Sequence, residues 1–288
     1  MIDKHIDESF GSIMIIVPHE DDELLMTAGV IKSALNSGLD VKVVLATNGD
    51  YGASDFSIGR TRMKESLDGL TLLGLDRENV IFLGYADTGM PKEESFIGRL
   101  YEESDINRII PSGCSEKTYS LEDGNTYHFK NFSEEGSYCR KDFLGDLEGV
   151  IKEYKPMNIF TTSQFDNHGD HSYLYLFVVD VLRELKEEGI KIDLYSGIVH
   201  SFDGDENWPI ITENIERFTV PKSLEETSNL KREECLSFRV PMEMQSNINH
   251  LNLKWNVINQ HKTALKPDAI EFLFSFVKMD EVFWKIDY

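Results

Sequence analysis

A chain of 288 residues, 41% of them hydrophobic, carries enough apolar side chain for a packed core, so a globular, enzyme-sized protein is expected. Its 51 acidic against 29 basic residues leave a formal net charge of -22, which argues against nucleic acid or an anionic membrane surface as a partner, since both call for a basic patch. Cys114, Cys139 and Cys235 lie far apart without C-x-x-C spacing, which points to reduced thiols and a cytoplasmic setting, although a Cys114–Cys139 bridge remains open.

Met1 to Phe10 is charged and does not read as a signal peptide. Ile13 to Val17 predicts a buried parallel strand, followed by a helix over Glu23 to Leu35 with Leu24, Met26, Ile31 and Leu35 at helical spacing. Asn36-Ser37-Gly38 stops it, and Val41 to Ala46 predicts the second strand of a β-α-β unit with a right-handed crossover. A polar loop, Thr47 to Gly52, precedes a helix over Thr61 to Leu73 and a third strand at Val80 to Leu83. Such alternation predicts an α/β fold, a doubly wound, mostly parallel, Rossmann-like sheet with helices on both faces.

From about Glu93 to Gly145 the pattern gives way to a Ser/Glu/Gly-rich stretch, expected as an irregular insertion flanking or covering the site. It resumes with a helix at Leu144 to Tyr154, a strand at Asn158 to Thr162, a helix from Ser172 to Glu188 and a strand at Ile192 to Val199. Beyond Trp208 a helix over Met242 to Leu265 is expected, and the alternation of Phe272, Phe274 and Phe276 reads as a half-buried strand rather than a sugar-stacking platform. The longest apolar runs fall far short of the roughly 20 residues that span a bilayer, and no Pro/Gly/Ser-rich linker divides residues 1–288 into two domains.

Two clusters stand out. His19-Glu20-Asp21-Asp22-Glu23 follows the first strand, and Asp166-Asn167-His168-Gly169-Asp170-His171 follows the strand at Asn158. Strand-end loops of one parallel sheet converge at its carboxyl edge. His19, Asp22 and His171 would supply three N/O ligands to a Zn²⁺ ion and leave a position for water. Taken singly, Asp22 is equally a helix cap, Asp166 and Asn167 a turn, and Glu23 a carboxylate favoured by the helix dipole.

These clusters resemble the H-P-D-D-E and H-P-D-H signatures of the zinc-dependent N-deacetylases related to the N-acetylglucosaminyl-phosphatidylinositol and mycothiol-pathway deacetylases, the PIG-L/LmbE-like family. Thr47-Asn48-Gly49-Asp50 is similar to its T-N/D-G-E loop, Arg62 to Glu65 to its R-x-x-E helix start, Leu72-Leu73-Gly74 to its helix end, and Asp87-Thr88-Gly89-Met90 to a D-S/T-G-M segment. Glu20 and Gly169 stand where the signatures carry proline.

The resemblance implies that His19, Asp22 and His171 hold Zn²⁺, with Fe²⁺ accepted by the same donors, and that Asp21 is the general base. It implies His168 as an imidazolium stabilising the oxyanion, with the Asp170 carboxylate orienting that ring and raising its pKa. Arg62 and Asp87, with Asn48 beneath them, are implied as substrate contacts, and His200 is a further pocket candidate; Arg62 is also a plausible helix partner of Glu65, and Asp87 a turn residue. The implied reaction is hydrolysis of an N-acyl, foremost acetyl, group from a small amino-sugar substrate. Rival readings are an amidase of a larger sugar conjugate and a catalytically silent metal- or sugar-binding homologue. A nucleotide-binding module lacks its glycine motif. Neither nucleic acid nor membrane is expected as a partner, and a homo-oligomer is compatible. His128 is a candidate for the entrance, whereas His5, His250 and His261 read as surface or core.

Overall fold

The computed structural model describes residues 1–88, 91–228 and 230–288. In chain order the elements are β1 (Ile2–Lys4), β2 (Ile13–Val17), α1 (Asp22–Asn36), β3 (Val41–Thr47), α2 (Ser57–Leu73) and β4 (Val80–Tyr85). Next come α3 (Phe96–Glu102), α4 (Tyr127–Phe132), α5 (Arg140–Tyr154), β5 (Asn158–Thr161), α6 (Gly169–Glu187) and β6 (Asp193–Ser196). The last are α7 (Lys222–Ser228), β7 (Leu236–Arg239), α8 (Leu253–Ile258), α9 (Ile270–Ser275) and β8 (Asp280–Ile286).

The strands form one sheet in the order β1-β7-β8-β6-β5-β2-β3-β4. All pairs are parallel except the two made by β8, which runs antiparallel to both β6 and β7. Every residue of β2 is buried, because the strand is covered on both faces. Ile13, Ile15 and Val17 pack with side chains of α1, α2 and α8, whereas Met14 and Ile16 pack with α3, α5 and α6. The alternation of β2 thus separates two cores, one on each face of the sheet.

The chain leaves β2 toward β3 on one side and reaches β5 on the other, so the strand order reverses at β2. Ile16 pairs with Thr161 across that boundary, which sets the loops after β2 and β5 side by side at the carboxyl ends of their strands. Fold physics alone brings the two His/Asp clusters together there.

The nine elements predicted between Ile13 and Val199 are present with shifts of boundary, and Gly74 ends α2 in the left-handed conformation, φ +100°. Two expectations are corrected. Met242 to Leu265 is not one helix: it is two single 3-10 turns and the short α8. Asn252 interrupts it, donating its amide to the carbonyls of Met244 and Ser246 and accepting the Trp255 N–H, so a side chain competes with the helix for backbone partners. Phe272 and Phe274 belong to helix α9 rather than to a strand. The antiparallel strand lies later, at β8. Within 93–145, α3 and α4 are embedded in irregular chain. Of the D-S/T-G-M segment, Gly89 and Met90 lie outside the described residues. Among the described residues, no helix is long and apolar enough to cross a membrane.

Candidate functional site

His19 leaves the end of β2, Asp22 opens α1, and His171 stands in the first turn of α6. His19 Nδ1 lies 3.1 Å from His171 Nε2 and 3.3 Å from Asp22 Oδ2, and His171 Nε2 lies 3.2 Å from that same oxygen. Three lone-pair donors so close repel one another unless something positive sits among them. Tetrahedral Zn²⁺ with bonds of about 2.0–2.1 Å places neighbouring donors roughly 3.3 Å apart, so this triangle has the size and donor chemistry of such a site.

Further carboxylates surround the triangle. The remaining nitrogen of His19, Nε2, lies 3.3 Å from Asp170 Oδ2 and 3.3 Å from Asp87 Oδ1. Behind His171, Asp166 Oδ2 lies 3.2 Å from Nδ1, off the ideal hydrogen-bond axis. His19 and His171 are therefore each backed by a carboxylate, the arrangement that in metal sites fixes tautomer and ring orientation. Burial disfavours protonated His171, yet Asp166 and Asp22 outweigh it and push its pKa up to about 10. Burial likewise opposes charge on Asp22, but His171 and His19 hold its carboxyl well below the usual range. The field at this point attracts a cation.

Asp21 occupies the strand-to-helix turn with φ +132°, a conformation that costs a non-glycine residue about 1–3 kcal/mol. Its N–H donates to Glu23 Oε2 at 2.9 Å, and its carbonyl accepts from Leu24 and Leu25. Glu23 is buried, accepts the Ser66 hydroxyl and lies 3.7 Å from the buried His261; burial raises its pKa to about 8. Asp21 itself is raised to about 6 by burial, against the opposing pull of Arg62. A base with that pKa is ionised, yet still basic, near neutrality.

His168 caps α6: its Nδ1 accepts the Asp170 N–H at 3.2 Å, which leaves the proton of the neutral ring on Nε2. Here the expected role of Asp170 is corrected. Its carboxylate contacts His19 and the Ile97 N–H rather than the His168 ring, which it meets only through its backbone. Burial, together with the neighbouring His19, His171 and His200, lowers the His168 pKa, and the structure offers no Asp170 carboxylate contact to raise it.

A cleft of about 270 Å³ opens onto His19, Asp21, Asp22, Arg62, Asp87, His168 and His200. Asp87 keeps one buried carboxylate oxygen without a hydrogen-bond partner. His200 Nδ1 lies 3.1 Å from Asp205, and its ring stacks on Phe272 with centroids 5.0 Å apart. Asn48 does not line the cleft: it is buried, donating its side-chain amide to the Gly84 carbonyl and its N–H to that of Tyr85. His128 lies away from the entrance, against Asp146 in a separate cleft.

Two contributions had no clear signal in the sequence. Asp166 looks like a turn residue, yet its Oδ1 accepts the His168 N–H while Oδ2 accepts the N–H groups of Val199 and His200 and faces His171. The far wall comes from the chain after α8, with Lys266, Asp268 and Phe272 lining the cleft. From the 93–145 stretch, Tyr119 and Cys114 donate to Asp50, which in turn accepts the Asp87 N–H.

Residues 14–182 match the family model PIG-L, described as GlcNAc-PI de-N-acetylase. A diacetylchitobiose deacetylase of Thermococcus kodakarensis is 30% identical over 98 residues, covering 31% of this chain and 36% of the relative. A mycothiol S-conjugate amidase of Streptomyces coelicolor is 24% identical over 172 residues, covering 56% of this chain and 46% of the relative. The matches thus span less than half the length of either curated relative. Among solved structures, a deacetylase triple mutant involved in the teicoplanin biosynthetic pathway superposes with a TM-score of 0.55 at 13% identity, covering 95% of this chain and 97% of that one. The N,N'-diacetylchitobiose deacetylase of Pyrococcus horikoshii gives 0.50 at 14% identity, covering 96% and 83%. At these identities the structures show a shared fold.

Proposed function

This chain belongs to the PIG-L family of GlcNAc-PI de-N-acetylases, and from that premise we propose that it is a metal-dependent N-deacetylase of a small amino-sugar substrate. The observation that carries the reading is the donor triangle of His19, Asp22 and His171, flanked in one cleft by Asp21 and His168. The cleft volume, about 270 Å³, is at the low end for ligand pockets and suits a single sugar ring.

His19, Asp22 and His171 would hold Zn²⁺, or Fe²⁺, which accepts the same donors. When bound, the ion supplies Lewis acidity, polarising an amide carbonyl and easing the deprotonation of water. Asp21 takes the proton of the attacking water on its carboxylate. His168 donates its Nε2–H as a hydrogen bond to the amide oxygen as negative charge develops there, and Asp21 passes the proton it took from water on to the departing nitrogen. Asp166 and Asp170 orient the imidazoles of His171 and His19. Asp87, on the cleft wall, faces a sugar hydroxyl, and Arg62, with His200 stacked on Phe272, holds the ring in the cleft. The three free thiols suit a reducing, cytoplasmic setting.

The test is acetate release from a panel of N-acetylglucosamine derivatives by protein loaded with Zn²⁺ or Fe²⁺ in separate preparations. Turnover abolished by a chelator, and by Asp21→Ala with metal content retained, is the expected result. No acetate from any member of the panel, with either metal bound, would overturn the proposal.

A further inference from the structure

Asp87 lies two residues beyond the end of β4 at Tyr85, where the ladder of the sheet no longer fixes the chain. Its backbone is held instead by the loop after β3. The Asp87 N–H donates to Asp50 Oδ1 at 3.1 Å, and the Asp87 carbonyl accepts the Gly52 N–H at 2.9 Å. Asp50 itself is fully buried and does not line the cleft.

A carboxylate turns easily about its last torsion, so one N–H on one oxygen does not by itself fix it. The other oxygen is held from the 93–145 stretch: Asp50 Oδ2 accepts the Tyr119 hydroxyl at 3.1 Å and the Cys114 thiol at 3.3 Å. Both donors arrive on a segment docked without slack. The Tyr119 ring stacks on Phe56 with centroids 4.2 Å apart, and its N–H donates to the carbonyl of Gly84 in β4 at 3.1 Å. A Cβ on Gly59 of α2 would stand 2.3 Å from the Tyr119 hydroxyl oxygen, and one on Gly113 would stand 2.3 Å from the Gly52 carbonyl oxygen. Only glycine at these two positions lets the stretch meet α2 and the loop after β3 so closely.

We infer that Tyr119, with Cys114 as a second donor, is a positioning residue: it fixes the Asp50 carboxylate, which in turn holds Asp87 at the wall of the cleft. Among the described residues, none that lines the cleft comes from the 93–145 stretch, which thus buttresses the site from behind. The inference deepens the proposed function and rests on Asp87 meeting a substrate hydroxyl there.

Two measurements test it. With zinc-loaded protein and N-acetylglucosamine as probe, Tyr119→Phe keeps the stacked ring but not the donor. It is expected to raise KM about threefold with kcat and metal content changed less, and adding Cys114→Ala brings the rise to about tenfold. In an Asp87→Ala background Tyr119→Phe is expected to alter KM less than twofold, because the residue it positions is gone. The second measurement needs no turnover: hydrogen exchange at the Asp87 backbone amide, followed by NMR, is expected to run about threefold faster in Tyr119→Phe than in wild type. A wild-type KM in Tyr119→Phe, or a rise that persists undiminished in Asp87→Ala, would overturn the inference. Unchanged exchange at Asp87 overturns the linkage from Tyr119 through Asp50 whether or not acetate is released. Should the wild-type protein release none, it is the proposed function that fails.

Discussion

Asp166 stands directly behind His171, its Oδ2 3.2 Å from the imidazole Nδ1, while its Oδ1 holds the His168 N–H at 3.0 Å. One buried carboxylate thereby faces the His171 imidazole and anchors the backbone of His168.

Asp166→Asn is expected to weaken metal binding about 10- to 100-fold, as loss of a carboxylate behind a ligating imidazole does, without abolishing it. Competition against a chromophoric chelator reads the change; an unaltered dissociation constant would remove Asp166 from the site.

His171 of α6 and His168, which caps it, are expected to separate cleanly. His171→Ala loses bound metal after dialysis, whereas His168→Ala retains it and loses catalysis by about 10²–10⁴, the usual worth of a positioned acid or base. Metal analysis of both dialysed variants decides; equal metal content would dissolve the distinction between ligand and donor.

Glu23 accepts the N–H of Asp21, whose backbone has φ +132°. Removing the acceptor in Glu23→Ala leaves that donor and the Ser66 hydroxyl unpaired in the interior, at about 1–3 kcal/mol of stability each. Urea unfolding measures the loss, and a variant as stable as wild type would show that the turn holds itself.

Lys254 and Glu281 form an ion pair with both side chains essentially fully buried, and Glu281 also accepts the N–H groups of Gly29 and Val30. Lys254→Met strands the carboxylate beneath α1 and is expected to cost about 3–5 kcal/mol, seen as a lower urea midpoint at unchanged slope.

His128 bonds Asp146, which raises its pKa from the ordinary imidazole value although partial burial opposes the shift. A group whose folded-state pKa is raised contributes stability in full below its unfolded pKa of about 6.5, and loses that contribution as pH climbs through the folded value. Unfolding free energy should therefore decline from pH 6.5 upward, and His128→Gln should flatten that limb. The same slope in the variant would assign it to other groups.

The centre of the site was legible because it depends on order along the chain. Two strands followed by His/Asp clusters must end at one sheet edge if the sheet is parallel, and β2 and β5 prove adjacent. Asp166 was hidden because Asp before Asn reads as turn chemistry, and only the folded loop shows its carboxylate beneath His171. The pairing of Asp170 with His19 was equally invisible. Adjacency in sequence suggests His168, but at a helix start successive side chains diverge, and the Asp170 carboxylate faces His19. Phe272 and Phe274 misled through a period that a short helical turn between irregular segments also permits. At α8, Asn252 breaks a pattern whose apolar spacing alone favours continuation.

His19, Asp21, Asp22, His168 and His171 all fall within residues 14–182, whereas Lys266, Asp268 and Phe272, which line the same cleft, come from the last tenth of the chain. Part of the cleft wall is thus written in a stretch of the gene apart from the two His/Asp clusters. Drift in the wall alters which molecule fits without touching the reactive floor, so relatives sharing both His/Asp signatures can diverge in diet while keeping the same reaction.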